Sequence, residues 1–116
     1  MNKYTEMSDF EINKKVAEAL GLISEVTHYG TVAKSTKKGH WFKFDPCNNP
    51  ADAMPIIIEN GISIMFDTGC NAWVAGIADW VDGCEWQVSP EIERMNPLRA
   101  AMEVFLMIKD AENEKV

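Results

Sequence analysis

The stretch that decides the fold of this chain is FDPCNNPADAMPIIIENGISI, from Phe44 to Ile64. Asn49 precedes Pro50, and this pair is typical of a helix start. The Asn side chain accepts the free backbone N–H groups, and Pro lacks the N–H that would otherwise stay unpaired at the first helical position. Asn60 and Gly61 form a matching helix stop. The stretch therefore predicts a helix over 50–60 between two segments of strand type.

Two further helices are predicted on either side of this stretch. Ser8 and Glu11 have the spacing of a capping box, and apolar residues follow at helical intervals until Gly21, which predicts a helix over 9–20. Asn96-Pro97 repeats the helix-start pair and predicts a last helix to about 111. Its apolar stripe consists of Leu98, Ala101, Met102, Phe105 and Ile108.

The remaining segments indicate strands and turns. The predicted strand segments are 22–34, 40–44, 62–66, 72–76 and 84–88, with polar turns at 35–39 and 67–71. This order predicts an α+β fold, with a largely antiparallel sheet sandwiched between helices in α/β/α layers. A single domain over 1–116 is expected, with 1–7 and 112–116 flexible.

The composition is globular, and its charge is unevenly distributed. Of the 116 residues, 47% are hydrophobic and 25% are charged, and the formal net charge is −7. Residues 1–44 carry seven Lys against five acids, whereas residues 45–116 carry four Lys and Arg against thirteen acids. Because nucleic acid binding normally depends on Lys and Arg that neutralise phosphates, the acidic balance makes nucleic acid an unlikely partner.

The sequence predicts a cytoplasmic protein. The N-terminal segment lacks the basic start and apolar stretch of a signal peptide, and the longest apolar run, 72–78, is far short of the about 20 residues of a membrane span. Cys47, Cys70 and Cys84 are odd in number and widely spaced, which favours reduced thiols over a disulfide framework.

Three blocks of sequence resemble a known family. The blocks Met7–Gly21, Asp45–Ile64 and Asn96–Met102 are similar to the NinX-like proteins of lambdoid phages and prophages, which resemble the wider phage "ABA sandwich" domain. The resemblance implies a small phage accessory protein with a sheet between helical layers. Because the family has no established activity, it implies no catalytic residues and no cofactor.

Two chemical alternatives have weaker support in the sequence. Asp67-Thr68-Gly69 resembles the catalytic loop of aspartic proteases, in which two such loops share a proton between carboxylates. This chain has one such loop, so the protease reading needs a dimer and ranks third, and Asp-Thr-Gly is also ordinary turn chemistry. For zinc, the available residues lack a short-range pair such as Cys-x-x-Cys, and no metal site is expected. Those residues are His28, His40, Cys47, Cys70 and Cys84.

Residues 78–86 form the preferred binding segment, because carboxylates there alternate with tryptophans and at least one Trp is expected to meet solvent. Tryptophan is the residue best able to anchor a protein interface. We expect a non-catalytic protein that modulates a host process by binding a host protein. The residues expected to bind the partner are Asp79, Trp80, Asp82, Glu85 and Trp86.

A small-molecule or nucleotide-signal binder is the alternative. Its site would be the basic cluster next to Trp41, where a phosphate and a flat ring could bind together, although a solvated hairpin tip explains the same pattern. The ligand-binding candidates are Trp41, Lys37, Lys38 and Lys43, with Lys34 and His40 in the same cluster. A homo-oligomer remains open, and the sequence names neither the host target nor the ligand.

Overall fold

Three strands follow each of the first two helices, and a third helix closes the described part of the chain. The computed structural model describes residues 2–114. The helices are α1 (Asp9–Ala19), α2 (Pro50–Asn60) and α3 (Pro97–Glu114). The strands are β1 (Ile23–Thr27), β2 (Gly30–Lys34), β3 (Phe42–Lys43), β4 (Ser63–Asp67), β5 (Ala72–Val81) and β6 (Glu85–Arg94).

Side chains bound to free backbone groups mark the helix ends. The Ser8 hydroxyl accepts the Glu11 N–H at 3.2 Å at the start of α1. The Asn49 side chain accepts the Ala51 N–H at 3.0 Å at the start of α2, and Gly61 closes that helix in the left-handed conformation at φ 63°. The capping signals therefore fixed both starts correctly.

The strands pair antiparallel throughout, which confirms the α+β class. They form a first sheet of order β1–β2–β3 and a second sheet of order β4–β5–β6. The structure thus differs from one sheet sandwiched between helices. The helix α1 packs on β1 and β2, α3 packs on β5 and β6, and the two helices contact each other. Each sheet buries a face on its own helix, so the apolar faces are covered without joining the sheets.

Several predicted boundaries were wrong. The segment 22–34 is a hairpin of two strands, with a turn at His28 and Tyr29. The strands predicted at 72–76 and 84–88 cover only about the first halves of β5 and β6, which pair as one long hairpin. A bulge between Ala75 and Ile77 bends it.

Within the described residues, both terminal segments contact the rest of the fold. In the segment expected to be loose, Tyr4 is buried and its hydroxyl donates to Asp110. The helix α3 continues to Glu114, beyond its predicted end near 111. Met1, Lys115 and Val116, which belong to the termini expected to be flexible, lie outside the described residues.

A polar contact holds the decisive stretch against α1. Asn13 is fully buried, and its side chain donates to the Asp45 carboxylate at 2.8 Å and accepts the Cys47 N–H at 3.0 Å. Asn96 donates to the Cys47 carbonyl at 2.7 Å. The turn before α2 is therefore bound to the middle of α1 and to the start of α3.

Glu103 is the centre of a buried ion network. Its side chain is 0% exposed, and its carboxylate accepts two hydrogen bonds from Arg94, each of 2.8 Å, and one from Arg99 of 2.9 Å. Arg94 lies on β6, whereas Arg99 and Glu103 lie on α3. The network therefore joins the end of the second sheet to α3.

Arg99 extends this network to the N-terminal segment. Its guanidinium donates to the Asp9 carboxylate at 2.8 Å and to the carbonyls of Tyr4 and Met7 at 2.9 Å. Asn2 reaches Glu103 at 3.4 Å. One buried charged cluster thus holds residues 2–9, α3 and β6 together.

The first prediction concerns the core under α3. Phe105 is fully buried, so Phe105→Ala should lower the free energy of unfolding by about 3 to 5 kcal/mol, because it leaves a cavity. Urea unfolding measures the change. Phe66→Ala, which truncates a partly exposed ring, is the control and should cost less. Equal stability of the Phe105 variant and the parent would contradict the packing of α3 on the second sheet.

The second prediction concerns Glu103. Burial alone would raise the pKa of Glu103, but the hydrogen bonds from Arg94 and Arg99 outweigh burial and hold that pKa below its ordinary value. The carboxylate therefore stabilises the fold fully above its ordinary pKa of about 4.3, and this contribution is lost as pH falls through the lowered value. Glu103→Gln should cost about 3 to 5 kcal/mol at neutral pH, because it leaves two arginines without their anion.

Urea unfolding of parent and Glu103→Gln, repeated from neutral to acidic pH, measures this effect. The difference in stability should shrink once the parent carboxylate is protonated, since Gln resembles that neutral state. A difference that stays constant down to pH values well below the ordinary pKa would show that the charge of Glu103 does not stabilise the fold.

Candidate functional site

The β5–β6 hairpin extends beyond the rest of the second sheet. The strand β4 pairs with residues 72–76 of β5, whereas β5 and β6 continue to pair from Ile77 opposite Ser89 to Val81 opposite Glu85. We call residues 77–89 the ribbon. Asp82 and Gly83 close it with positive φ angles of 54° and 69°, a conformation that suits Gly and is tolerated by Asp.

Two tryptophans face each other across the ribbon. Trp80 pairs with Trp86, and their ring centroids lie 5.3 Å apart at an interplanar angle of 66°, an edge-to-face arrangement. Trp80 is 54% exposed and Trp86 is 67% exposed. At least one exposed tryptophan was expected in this segment, and both are exposed.

The structure brings all five predicted partner-binding residues into the ribbon and sorts them by face. Directly opposed residues share a face of an antiparallel pair, and successive residues alternate between faces. Trp80 and Trp86 therefore lie on one face, and Asp79 and Glu85 lie on the other. Asp82 lies in the exposed turn. The tryptophans and the acidic residues, which are interleaved in the sequence, thus form an aromatic face and an acidic face of the ribbon.

The alternative site at Trp41 is partly assembled. The Lys34 ammonium lies 4.4 Å from the centre of the Trp41 ring and donates to the Lys37 carbonyl at 3.2 Å. Lys37 and Lys38 are exposed in the turn, and Lys43 pairs with Val32 in the first sheet. Lys34 thus covers one face of the ring on which a flat ligand would stack.

Asp67 has the environment of a turn residue. Its carboxylate accepts the Cys70 thiol at 3.2 Å and the Gly69 N–H at 2.8 Å. Both hydrogen bonds favour the ionised form, and they hold the pKa of Asp67 below its usual value. These local partners account for Asp67 as the acid of a tight turn.

Sequence spacing missed one group of possible metal ligands. The ligand atoms of Asp67, Cys70 and Glu93 lie within 4.8 Å of one another. Glu93 joins the group through strand pairing across β5, which no local motif reveals. Hydrogen bonds to Glu93 and Asp67 raise the pKa of the Cys70 thiol to about 12. A metal would have to displace this proton, since the thiolate is the ligand.

The three cysteines are free thiols. Cys47 is buried, and burial raises its pKa, whereas Cys70 and Cys84 are exposed.

None of the helices within residues 2–114 combines the length and the apolar character that a membrane span requires.

The fold and the exposed ribbon define a small α+β protein with a projecting aromatic hairpin. The family described as Bacteriophage P22, NinX matches residues 3–109. The chain therefore belongs to the NinX family of phage proteins, as the three resembling blocks indicated. A comparison with curated proteins gave no match.

Proposed function

We propose that this protein is a non-catalytic phage accessory protein that modulates a host process by binding a host protein through the ribbon. The exposed Trp80–Trp86 pair is the observation that carries the proposal. Two adjacent indoles left in water lose the stabilisation that burial gives to large aromatic surfaces. An interface that covers both rings would recover it, and tryptophans are enriched among the residues that dominate binding energy.

The charge of the ribbon indicates the chemistry of the partner. Asp79 and Glu85 are exposed on the face of the ribbon opposite the aromatic pair, Asp82 is exposed in its turn, and the sequence contains no Lys, Arg or His from Phe44 through Glu93. A basic partner surface would complement this charge, which speeds association and excludes acidic competitors. Proteins whose surfaces are acidic near the contact should be rejected.

The proposed site of action is the cytosol of the bacterial host. Cys70 and Cys84 are exposed free thiols, and such thiols persist in a reducing compartment. The contact would form there without a cofactor and without a catalytic residue of this chain.

The third prediction tests the aromatic pair. A host protein captured from lysate is first purified, and its direct binding to the phage protein is measured by calorimetry. Trp80→Ala or Trp86→Ala should each weaken the complex by about 2 kcal/mol or more, which is about thirtyfold in Kd. Tyr29→Ala is the matched control, because Tyr29 is 92% exposed in the β1–β2 turn, away from the ribbon.

Circular dichroism of each variant must match the parent, since both rings lie outside the core. Parental affinity of the double variant Trp80→Ala, Trp86→Ala would reject the ribbon as the binding surface. Unfolding of that variant would show that the rings serve the fold instead.

A nucleotide-binding function is the second candidate, and the Lys34–Trp41 contact favours it. A planar base stacked on the open face of Trp41 would place its phosphate near Lys37, Lys38 or Lys43. A nucleotide absorbance signature on the purified protein, lost in Trp41→Ala, would support this candidate over the first.

A further inference from the structure

The apolar surface of the ribbon continues onto the body of the second sheet. Ile64, Ala75 and Ile92 lie opposite one another and pack in the core against α3. Because successive residues of a strand alternate between faces, Met65 and Val74 lie on the opposite, outer face, where Val74 on the central strand is only 3% exposed. Met65 is 46% exposed on this outer face.

The outer face runs along β5 to the tryptophans. Beyond the bulge, Ala78 lies opposite Val88 and Trp80 lies opposite Trp86, so the same side of β5 stays apolar. Gly76 occupies the intervening position, where an added Cβ would lie 2.6 Å from the Pro90 carbonyl oxygen. On this outer face Met65, Trp80 and Trp86 are exposed, Ala78 and Val88 are partly exposed, and Val74 is buried.

This outer face is concave. Met65 on β4 and Trp86 on the ribbon border one open groove of about 410 Å³, together with Val88, Gln87 and Glu91. Strand pairing alone would separate Met65 from Trp86 by several residues along the sheet. The groove nevertheless brings the two residues together, and the bulge in the β5–β6 pairing lies between them.

The charge around the groove selects its occupant. Glu91 lines it, and Glu93 lies next to Val74 on the same outer face. The first basic residue that follows Glu93 in the sequence, Arg94, already binds the buried Glu103. A second copy of the chain would bring identical carboxylates into contact, which is unfavourable, whereas Lys or Arg side chains would be neutralised.

We propose that the groove from Met65 to Trp86 binds a basic amphipathic segment of the partner protein, an assignment that rests on the proposed function. Apolar side chains of that segment pack on Met65, Val88 and Trp86. Its Lys and Arg side chains lie toward Glu91 and Glu93. The interface then consists of the groove and the Trp80–Trp86 pair at one end of it. This interface is larger than a contact with the ribbon tip alone.

The fourth prediction uses two synthetic helical peptides of equal length, one of Leu and Lys and one of Leu and Glu. Titration calorimetry with the full chain should show that the Leu–Lys peptide binds about tenfold tighter or more, with an affinity that falls as salt is added. Met65→Ala should weaken this binding about fivefold or more, since the side chain lines the groove. Ile58→Ala, which truncates an exposed residue of α2, is the control and should bind as the parent does.

The possible results separate the two proposals. If Trp80→Ala weakens the natural complex while Met65→Ala changes neither the natural complex nor peptide binding, the ribbon functions but the groove assignment is wrong. If neither substitution affects the natural complex, both proposals fail. Equal binding of the two peptides, or no binding of either, overturns the groove assignment. So does a parent dimer that Met65→Glu dissociates, because the occupant would then be a second copy.

Discussion

The fully buried carboxylate of Glu103 is the constraint on which the rest of this structure depends. A buried anion is costly unless it is paired and hydrogen-bonded, and here Arg94 and Arg99 both bind it. Satisfying this one group requires α3, the end of β6 and, through Arg99, the N-terminal segment to be in place together. The network thus sets how the second sheet meets the helices.

This arrangement separates the stable part of the molecule from the candidate interface. Arg94 fixes the C-terminal end of β6, while the opposite end of the same strand forms the ribbon. A two-stranded ribbon is marginal by itself, but this one continues strands that are held by β4 and covered by α3. Trp80 and Trp86 can therefore stay exposed on a rigid base, and under the proposed function a change of either side chain would affect binding more than folding.

The helices were predictable because their signals are local. Ser8 with Glu11, Asn49 with Pro50, and Asn96 with Pro97 each act within one turn of backbone, and the structure shows all three predicted N-terminal caps as hydrogen bonds. The division into two sheets was not predictable, because strand pairing depends on contacts between distant residues. Pro90 and the polar residues near Asp79 also concealed the full length of the hairpin, since both are uncommon inside strands.

The candidate site was predictable in composition but not in geometry. The clustering of Trp80, Trp86 and three acids indicated a binding segment, and the structure added the register that places the two indoles in contact. The separation of rings and carboxylates onto opposite faces follows from that register. The groove that joins Met65 to Trp86 spans a bulge in the β5–β6 pairing, and this bulge has no signature in a single sequence.

The most direct test of the account is the nuclear magnetic resonance spectrum of the four indole N–H groups, assigned with single Trp→Phe variants and recorded during addition of the Leu–Lys peptide. Trp80 and Trp86 lie on the proposed surface, Trp41 lies beside Lys34, and Trp73 packs edge-to-face on Phe66. If the peptide binds in the groove, the signals of Trp80 and Trp86 shift while those of Trp41 and Trp73 remain in place. A shift of Trp41 with Trp80 and Trp86 unchanged would contradict the account.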